Sequence, residues 1–433
     1  MDRLSRASAP AGAALLALVA LAGCRPPAPA PEAQSAQAIA KGLVPDVERA
    51  VGLKFKRPPV IAVRSREQVR GYLSRTLAVQ MPPKELLAVQ RAYRAFGLVP
   101  DSVDLRRLLL DLYSEQVAGY YDPDSSALFV VRGADPLELK LIMAHELVHA
   151  LQDEYTPLND ILKLRRQNDR QMAGQAVAEG QATLASIQAL APEADLDQVL
   201  GSFDQVRAII RQQRASMPVF ASAPPIIREG MLFPYLAGAQ FMHDFDERRV
   251  RPDEEPYGER MPVSTAQILH PSIYAAHQLP WRLGFGRAEA ADTLIYDDDY
   301  GEFETRVALE TWGVDTGVAV AAAAGWDGDR FEVLGTPAGT VVAWASAWMT
   351  PADAGEFAGA LAAGWARRSG GTGSAAGNVT AAAYGGGSAS RRWRIERTVV
   401  RGESLVVLVD GPARWSGWAH PPAPVVAPPA PGR

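Results

Sequence analysis

Apolar residues recur at helical intervals through much of the chain and give way to strand-like patterns in two regions. "REQVRGYLSR" (66–75), "PPKELLAVQRAYRAFGL" (82–98) and "DSVDLRRLLLDLYSEQ" (101–116) carry apolar positions three and four apart, the spacing of one helix face. Two prolines open the second of these, and Asp101 or Ser102 caps the third. The spacing predicts further helices over 135–155 and 170–190. The first has Asp135 as N-cap and Pro136 in its opening turn. The second is rich in small residues, which suits close packing. More helix is expected from 191 to about 245, then an irregular, proline-punctuated block over 256–280.

Strands are expected at "PPVIAVRS" (58–65) and in "VAGYYDPDSSALFVVRG" (117–133), where two β-prone runs flank a turn cluster and predict a hairpin. Beyond about residue 312, "GWDGDRFEVLG", "GTVVAWASAWM", "RRWRIERTVVRG" and "ESLVVLVDG" alternate like strands of a half-buried sheet. The segment 350–368 predicts a helix over that sheet, and the Gly/Ser-rich 369–390 a flexible insertion. The expected fold class is α+β: a mostly helical domain with a small sheet over 39–311, then a smaller C-terminal α/β part over 312–415.

The chain ends have a different character. "MDRLSRASAPAGAALLALVALAGC" has Arg3 and Arg6, an apolar run and small residues, the pattern of a secretory signal over 1–23. "LAGC" resembles a bacterial lipobox, which implies that Cys24 carries a diacylglyceryl group and anchors the protein outside the cytoplasm, in the cell envelope. Each buried acyl methylene contributes about 0.8 kcal/mol to such an anchor. The Pro/Ala-rich stretch 24–38 is expected to be a tether, and 416–433 a disordered tail.

The 433 residues are 48% hydrophobic, enough for a sizeable core, with a net charge of −5. No basic stripe points to nucleic acid. Cys24 is the sole cysteine, so a disulfide framework and a cysteine-based metal site are both excluded.

Candidate chemistry sits in "AHELVHALQDEY" (144–155). Residues four apart on a helix lie about 40° apart around its axis, so His145 and His149 can aim one nitrogen each at a common point. Zinc bound there at about 2.0–2.1 Å needs a third protein ligand and an open position. Glu146 can lie beside that position as a general base. A histidine six residues after His149 is excluded, because position 155 is Tyr155. Glu179 in "AVAEGQATL" is the leading third ligand: a carboxyl on a tightly packed helix needs a partner. Asp153, Glu154 and Asp160 are weaker candidates, and pairing of Glu179 with Arg165, Arg166 or Arg170 is the alternative.

The ordered motifs "EQVAGYYDPDSSALFVV", "LIMAHELVHALQDEY", "AVAEGQATL", "FPYLAGAQF" and "STAQILHPSIY" are similar to those of an uncharacterised bacterial lipoprotein family that resembles gluzincin (HExxH…E) zinc metallopeptidases. The likeness covers roughly residues 45–280. It implies one Zn²⁺ held by His145, His149 and Glu179, with Glu146 as the base. It also implies that the strand Ala127, Leu128, Phe129, Val130 and Val131 is an edge strand that pairs with an extended peptide substrate. His270 is the first choice for stabilising the oxyanion, with Tyr274, His277, His243 and Tyr235 as competitors. Many gluzincins carry an Asp four residues after the ligand Glu, to orient a histidine; here that position is Thr183. The expected function is peptide-bond hydrolysis in the cell envelope on a peptide or protein substrate. The alternatives are a non-catalytic zincin-like lipoprotein that binds a partner or assists envelope assembly, and a hydrolase of peptidoglycan.

Overall fold

The computed structural model describes residues 33–133, 136–156, 164–201, 217–248, 255–286, 291–370 and 383–429. The expected signal, Cys24 and the proposed N-cap Asp135 lie outside them. The fold is α+β, with three sheets. In chain order the helices are α1 (Ala33–Val51), α2 (Arg66–Gln80), α3 (Pro83–Phe96), α4 (Leu105–Gln116), α5 (Pro136–Tyr155), α6 (Asn168–Leu190), α7 (Leu196–Gly201), α8 (Pro218–Ser222), α9 (Pro225–Arg248), α10 (Thr265–Leu269), α11 (Pro271–Ala275), α12 (Gly301–Thr311), α13 (Thr316–Ala323) and α14 (Pro351–Ser369).

Local chemistry accounts for most of these boundaries. Ser65 and Thr350 form capping boxes with Gln68 and Asp353, which start α2 and α14. Gly97 ends α3 in the left-handed region at φ 70°. The cap of α4 is Asp104, which accepts from the Arg107 amide. Asp101 and Ser102 lie in the turn before it, so the expected cap is displaced to the aspartate that borders the apolar run.

The small sheet joins β1 (Val60–Arg64), β2 (Gly119–Asp122) and β3 (Ala127–Val131) in the order β1-β3-β2. The expected hairpin is β2–β3, antiparallel, and β1 runs parallel to β3 on its other side. The strand Ala127–Val131 is therefore the centre of its sheet and not an edge. Its own composition explains this. Leu128 and Val130 enter the core shared with α1, α5 and α6, while Ala127, Phe129 and Val131 enter the core under α2 and α4. A strand apolar at every position is one covered on both faces. The edge strand on the side of α5 is β2.

The C-terminal sheet has six strands in the order β5-β6-β7-β10-β9-β8: β5 (Thr293–Asp298), β6 (Trp326–Thr336), β7 (Gly339–Trp348), β8 (Ala383–Gly387), β9 (Arg391–Val400) and β10 (Glu403–Pro412). All its neighbours are antiparallel. Its first strand starts at Thr293, ahead of the expected boundary at 312. One core cluster runs from Leu86 of α3 through α6, α9 and α12 to Leu408 of β10, so the two parts share an interior. Three expectations of irregular chain are corrected. Residues 33–38, expected in the tether, begin α1. Residues 383–387, expected in the insertion, are β8; residues 371–382 lie outside the described part. Within the expected tail, β11 (Pro424–Ala427) pairs with β4 (Arg282–Phe285). Val426 is the reason: it buries against Leu405 and Ala347 of the large sheet.

Candidate metal centre

Four polar residues interrupt the buried apolar surface of α5, Gln152 at 3% exposed among them. His145, Glu146 and His149 are 6, 3 and 7% exposed, among fully buried Met143, Ala144, Leu147, Val148 and Leu151. The facing helix, α6, carries Glu179. Its place is set by a contact between two glycines. A Cβ on Gly180 would lie 2.2 Å from the carbonyl carbon and oxygen of Gly238 in α9, and one on Gly238 would lie 2.0 Å from the Ala176 oxygen. The backbones of α6 and α9 therefore touch, which no larger residue permits.

The three sequence-derived ligands converge. Glu179 Oε2 is 3.2 Å from His145 Nε2 and 3.2 Å from His149 Nε2, and the two ring nitrogens are 3.1 Å apart. Tetrahedral zinc with bonds of about 2.0–2.1 Å separates its donors by about 3.3–3.4 Å. The donor triangle, two imidazole nitrogens and one carboxylate oxygen, fits that requirement in size and in chemistry. Among the described residues this is the group of His, Cys, Asp and Glu that could hold a metal ion.

Gln152, one helical turn beyond His149, completes the site. Its Oε1 lies 2.8 Å from His149 Nδ1, and its Nε2 donates to the Ala178 carbonyl at 3.0 Å. The carbonyl fixes the amide's orientation, so Oε1 faces the ring and accepts from Nδ1–H, which leaves Nε2 as the ring atom that faces the centre. Thr183, where many gluzincins carry an orienting Asp, has its Oγ1 buried without a hydrogen-bond partner among the described residues. The orienting contact is therefore made from α5 itself. The helical spacing of "HALQ" could have pointed to it.

Glu146 Oε2 accepts from the Tyr121 amide of β2 at 2.8 Å. Burial holds its carboxyl above the usual carboxylate range, against the opposing charges of His149 and His145. For His149, burial disfavours the charged ring, but the Glu179 carboxylate outweighs it and raises the imidazole to about 9. Burial likewise raises Glu179, and the two imidazoles reverse this and lower it to about 2. A carboxylate that attracts a proton onto a facing imidazole offers the same attraction to a metal cation.

The other candidates lie elsewhere. His270 Nε2 is 2.7 Å from Glu302 Oε1 at the start of α12, and His270 is absent from the lining of the cavity that opens at the metal centre. Its helix, α10, packs at the far end of α6, where Thr265 bonds Asp169. His243 pairs with Asp197, and the Tyr274 hydroxyl donates to the Arg260 carbonyl; His277 lies beside Tyr274. Tyr235 is the competitor that the fold brings in. Its ring stacks on His145 with centroids 5.9 Å apart, and it lines the cavity. Asp153 accepts from the Tyr121 hydroxyl, and Glu154 accepts from the amides of Lys56 and Arg57. Asp160 lies outside the described residues. Arg165 and Arg166 pair with Glu85 and Asp297, and Arg170 donates to Gln167.

The cavity has a volume of about 340 Å³. One face of α6 runs along it: Asn168, Gln171, Met172, Gln175 and Glu179 all line it. Glu146, His149, Tyr121 and Tyr235 are at the Glu179 end, while Asp298, Asp299 and Glu304 surround the Asn168 end.

A family model described as a domain of unknown function (DUF8575) matches residues 292–415, the span of the six-stranded sheet with its helices. No curated protein and no solved structure matches the chain.

Proposed function

We propose that the protein is a gluzincin-like zinc peptidase, anchored in the bacterial cell envelope through a lipid on Cys24. The observation that carries this reading is the triangle of His145, His149 and Glu179, with edges of 3.1–3.2 Å, beside a buried glutamate in a cavity. His145, His149 and Glu179 would hold the ion. Zinc supplies Lewis acidity, which makes water nucleophilic near neutral pH and polarises a carbonyl oxygen.

The remaining work belongs to side chains. The Tyr121 amide holds Glu146 in place, and burial raises its basicity. Glu146 takes the proton of the attacking water on a carboxylate oxygen and passes it to the leaving amine nitrogen. Gln152 keeps the His149 ring in its ligating orientation. Tyr235, stacked on His145, offers its hydroxyl to the developing oxyanion, the role expected of His270 from sequence. The edge strand β2 takes the place of β3 as the strand beside which a substrate backbone would lie. No helix among the described residues is long and apolar enough to cross a membrane; in this proposal the lipid on Cys24 is the anchor.

The test is metal analysis of the purified protein together with peptide cleavage. One zinc per chain is expected, lost in His149→Ala and kept in Glu146→Gln, with cleavage lost in both. Equal metal content in wild type and His149→Ala after refolding with zinc would sink the proposal. Zinc binding without cleavage by any form would favour the non-catalytic module.

A further inference from the structure

The carboxylates at the Asn168 end of the cavity have no part in the proposed chemistry. Asp298 accepts from the Tyr296 hydroxyl and from the amides of Asn168 and Asp299; Asp299 accepts from the Asp169 amide. Glu304 differs. It is 4% exposed and lines the cavity, and among the described residues its Oε2 has no hydrogen-bond partner. An unsatisfied carboxylate oxygen in such a place costs free energy.

The guanidinium groups at this end are engaged by other acids: Arg165 by Glu85, Arg166 by Asp297, and Arg330 by Asp297 and, at 3.9 Å, by Asp299. Tyr93 and Phe331 line the same end, beside Tyr296, whose ring already carries the Arg166 guanidinium at 4.1 Å; aromatic faces attract organic cations. A metal ion does not suit the place. Among the described residues only His145, His149 and Glu179 bring their ligand atoms within 4.8 Å of one another. Dispersed carboxylates with aromatic walls suit a larger cation.

The geometry points to a subsite in which Glu304, backed by Asp298 and Asp299, binds a positively charged nitrogen of the substrate, an ammonium or a guanidinium. This deepens the peptidase proposal by naming a substrate class: peptides with a cation at a set distance from the cut bond. From Asn168 to Glu179 the α-helical rise gives about 16 Å. An extended peptide covers about 3.3–3.6 Å per residue. The cation is then a free amino terminus about five residues from the scissile bond, or a lysine or arginine about three residues from it with its side chain extended. Burial raises the Glu304 carboxyl to about 8 when no cation faces it, so an arriving cation also draws off a proton.

The test uses the zinc-loaded full chain carrying Glu146→Gln, so that peptides bind without being cut. The probes are alanine–glutamine heptapeptide amides with one lysine, or norleucine in its place, at each position in turn. Acetylated and free amino termini form a second arm, which separates the two sources of charge. Calorimetry should show one lysine position, or the free amine, binding about tenfold tighter than its neutral counterpart. Glu304→Gln should abolish that preference with zinc content unchanged. Glu304→Asp, which keeps the charge on a shorter arm, should keep a reduced preference and serves if the glutamine variant does not fold. Equal binding of charged and neutral peptides, no binding of any, or a preference that survives Glu304→Gln overturns the inference. Cleavage by the chain with Glu146 intact is read separately. Cation preference without cleavage removes the peptidase proposal and leaves the subsite, and cleavage without cation preference does the reverse.

Discussion

In the proposed centre single side chains divide the labour between ligation, proton transfer and orientation, and each role has its own signature. Glu146 accepts from the Tyr121 amide and is not one of the three donors, so Glu146→Gln should keep the zinc and lower turnover by about 10²–10⁴-fold, read by metal analysis beside peptide cleavage. Gln152 would act on a bound metal through His149, whose ring it contacts. Gln152→Leu should weaken zinc binding by about 10–100-fold, measured by competition with a chelator. Thr183 supplies the contrast. Its hydroxyl is buried and unsatisfied among the described residues, so Thr183→Val should change stability by less than about 1 kcal/mol, or improve it, and leave zinc affinity unaltered. A large loss of zinc in that variant would return the orienting role to position 183.

At the scale of elements, the centre depends on how closely α6 lies against α9 and how β2 meets α5. Gly180 directly follows Glu179, the proposed ligand, and its contact with Gly238 is backbone against backbone. Gly238→Ala should force the helices apart and cost about 1–3 kcal/mol. The urea midpoint should fall, and zinc affinity should fall with it, because Glu179 moves with α6. On the other side of α5, Gly119 packs on Ile142, where a Cβ would meet the side chain at 2.6 Å. That fit lets the edge of β2 reach Glu146. The hairpin was legible in "GYYDPDSSALFVV" from its turn cluster. Which of its strands forms the edge was not, because that depends on β1, which approaches β3 from nearly seventy residues earlier in the chain.

The molecule as a whole carries buried acids whose protons stabilise it. Burial holds Asp169 up to about 7, Glu304 to about 8 and Asp327 to about 6. Each keeps a proton in the folded chain that the unfolded chain has released. Folding therefore binds protons across this range, and stability present at mildly acidic pH is lost as pH rises through about 6 to 8. His149, raised to about 9 by Glu179 against the effect of burial, adds a loss of the same sign. In chelator-treated protein the urea midpoint should be lower at about pH 8.5 than at about pH 5.5. A midpoint that rises over that interval would mean these acids are ionised in the folded state. Asp329, by contrast, accepts from the Tyr300 and Gly301 amides and from two tryptophan indoles, which ties the start of α12 to the large sheet.

Local order along the chain was enough to specify most of the helices, the hairpin and the helix face that carries His145 and His149, because these follow from spacings of two to four residues. The glutamate at 179 was also legible, as a charge that such an apolar helix could not leave unpartnered. Only the tertiary structure decided which strand is central, that Gln152 and not Thr183 orients a ligand, that His270 faces Glu302 while Tyr235 faces the centre, and that Val426 holds β11 against the large sheet. Those choices rest on contacts between segments from tens to hundreds of residues apart, where burial and the direction of approach outweigh anything the local pattern encodes.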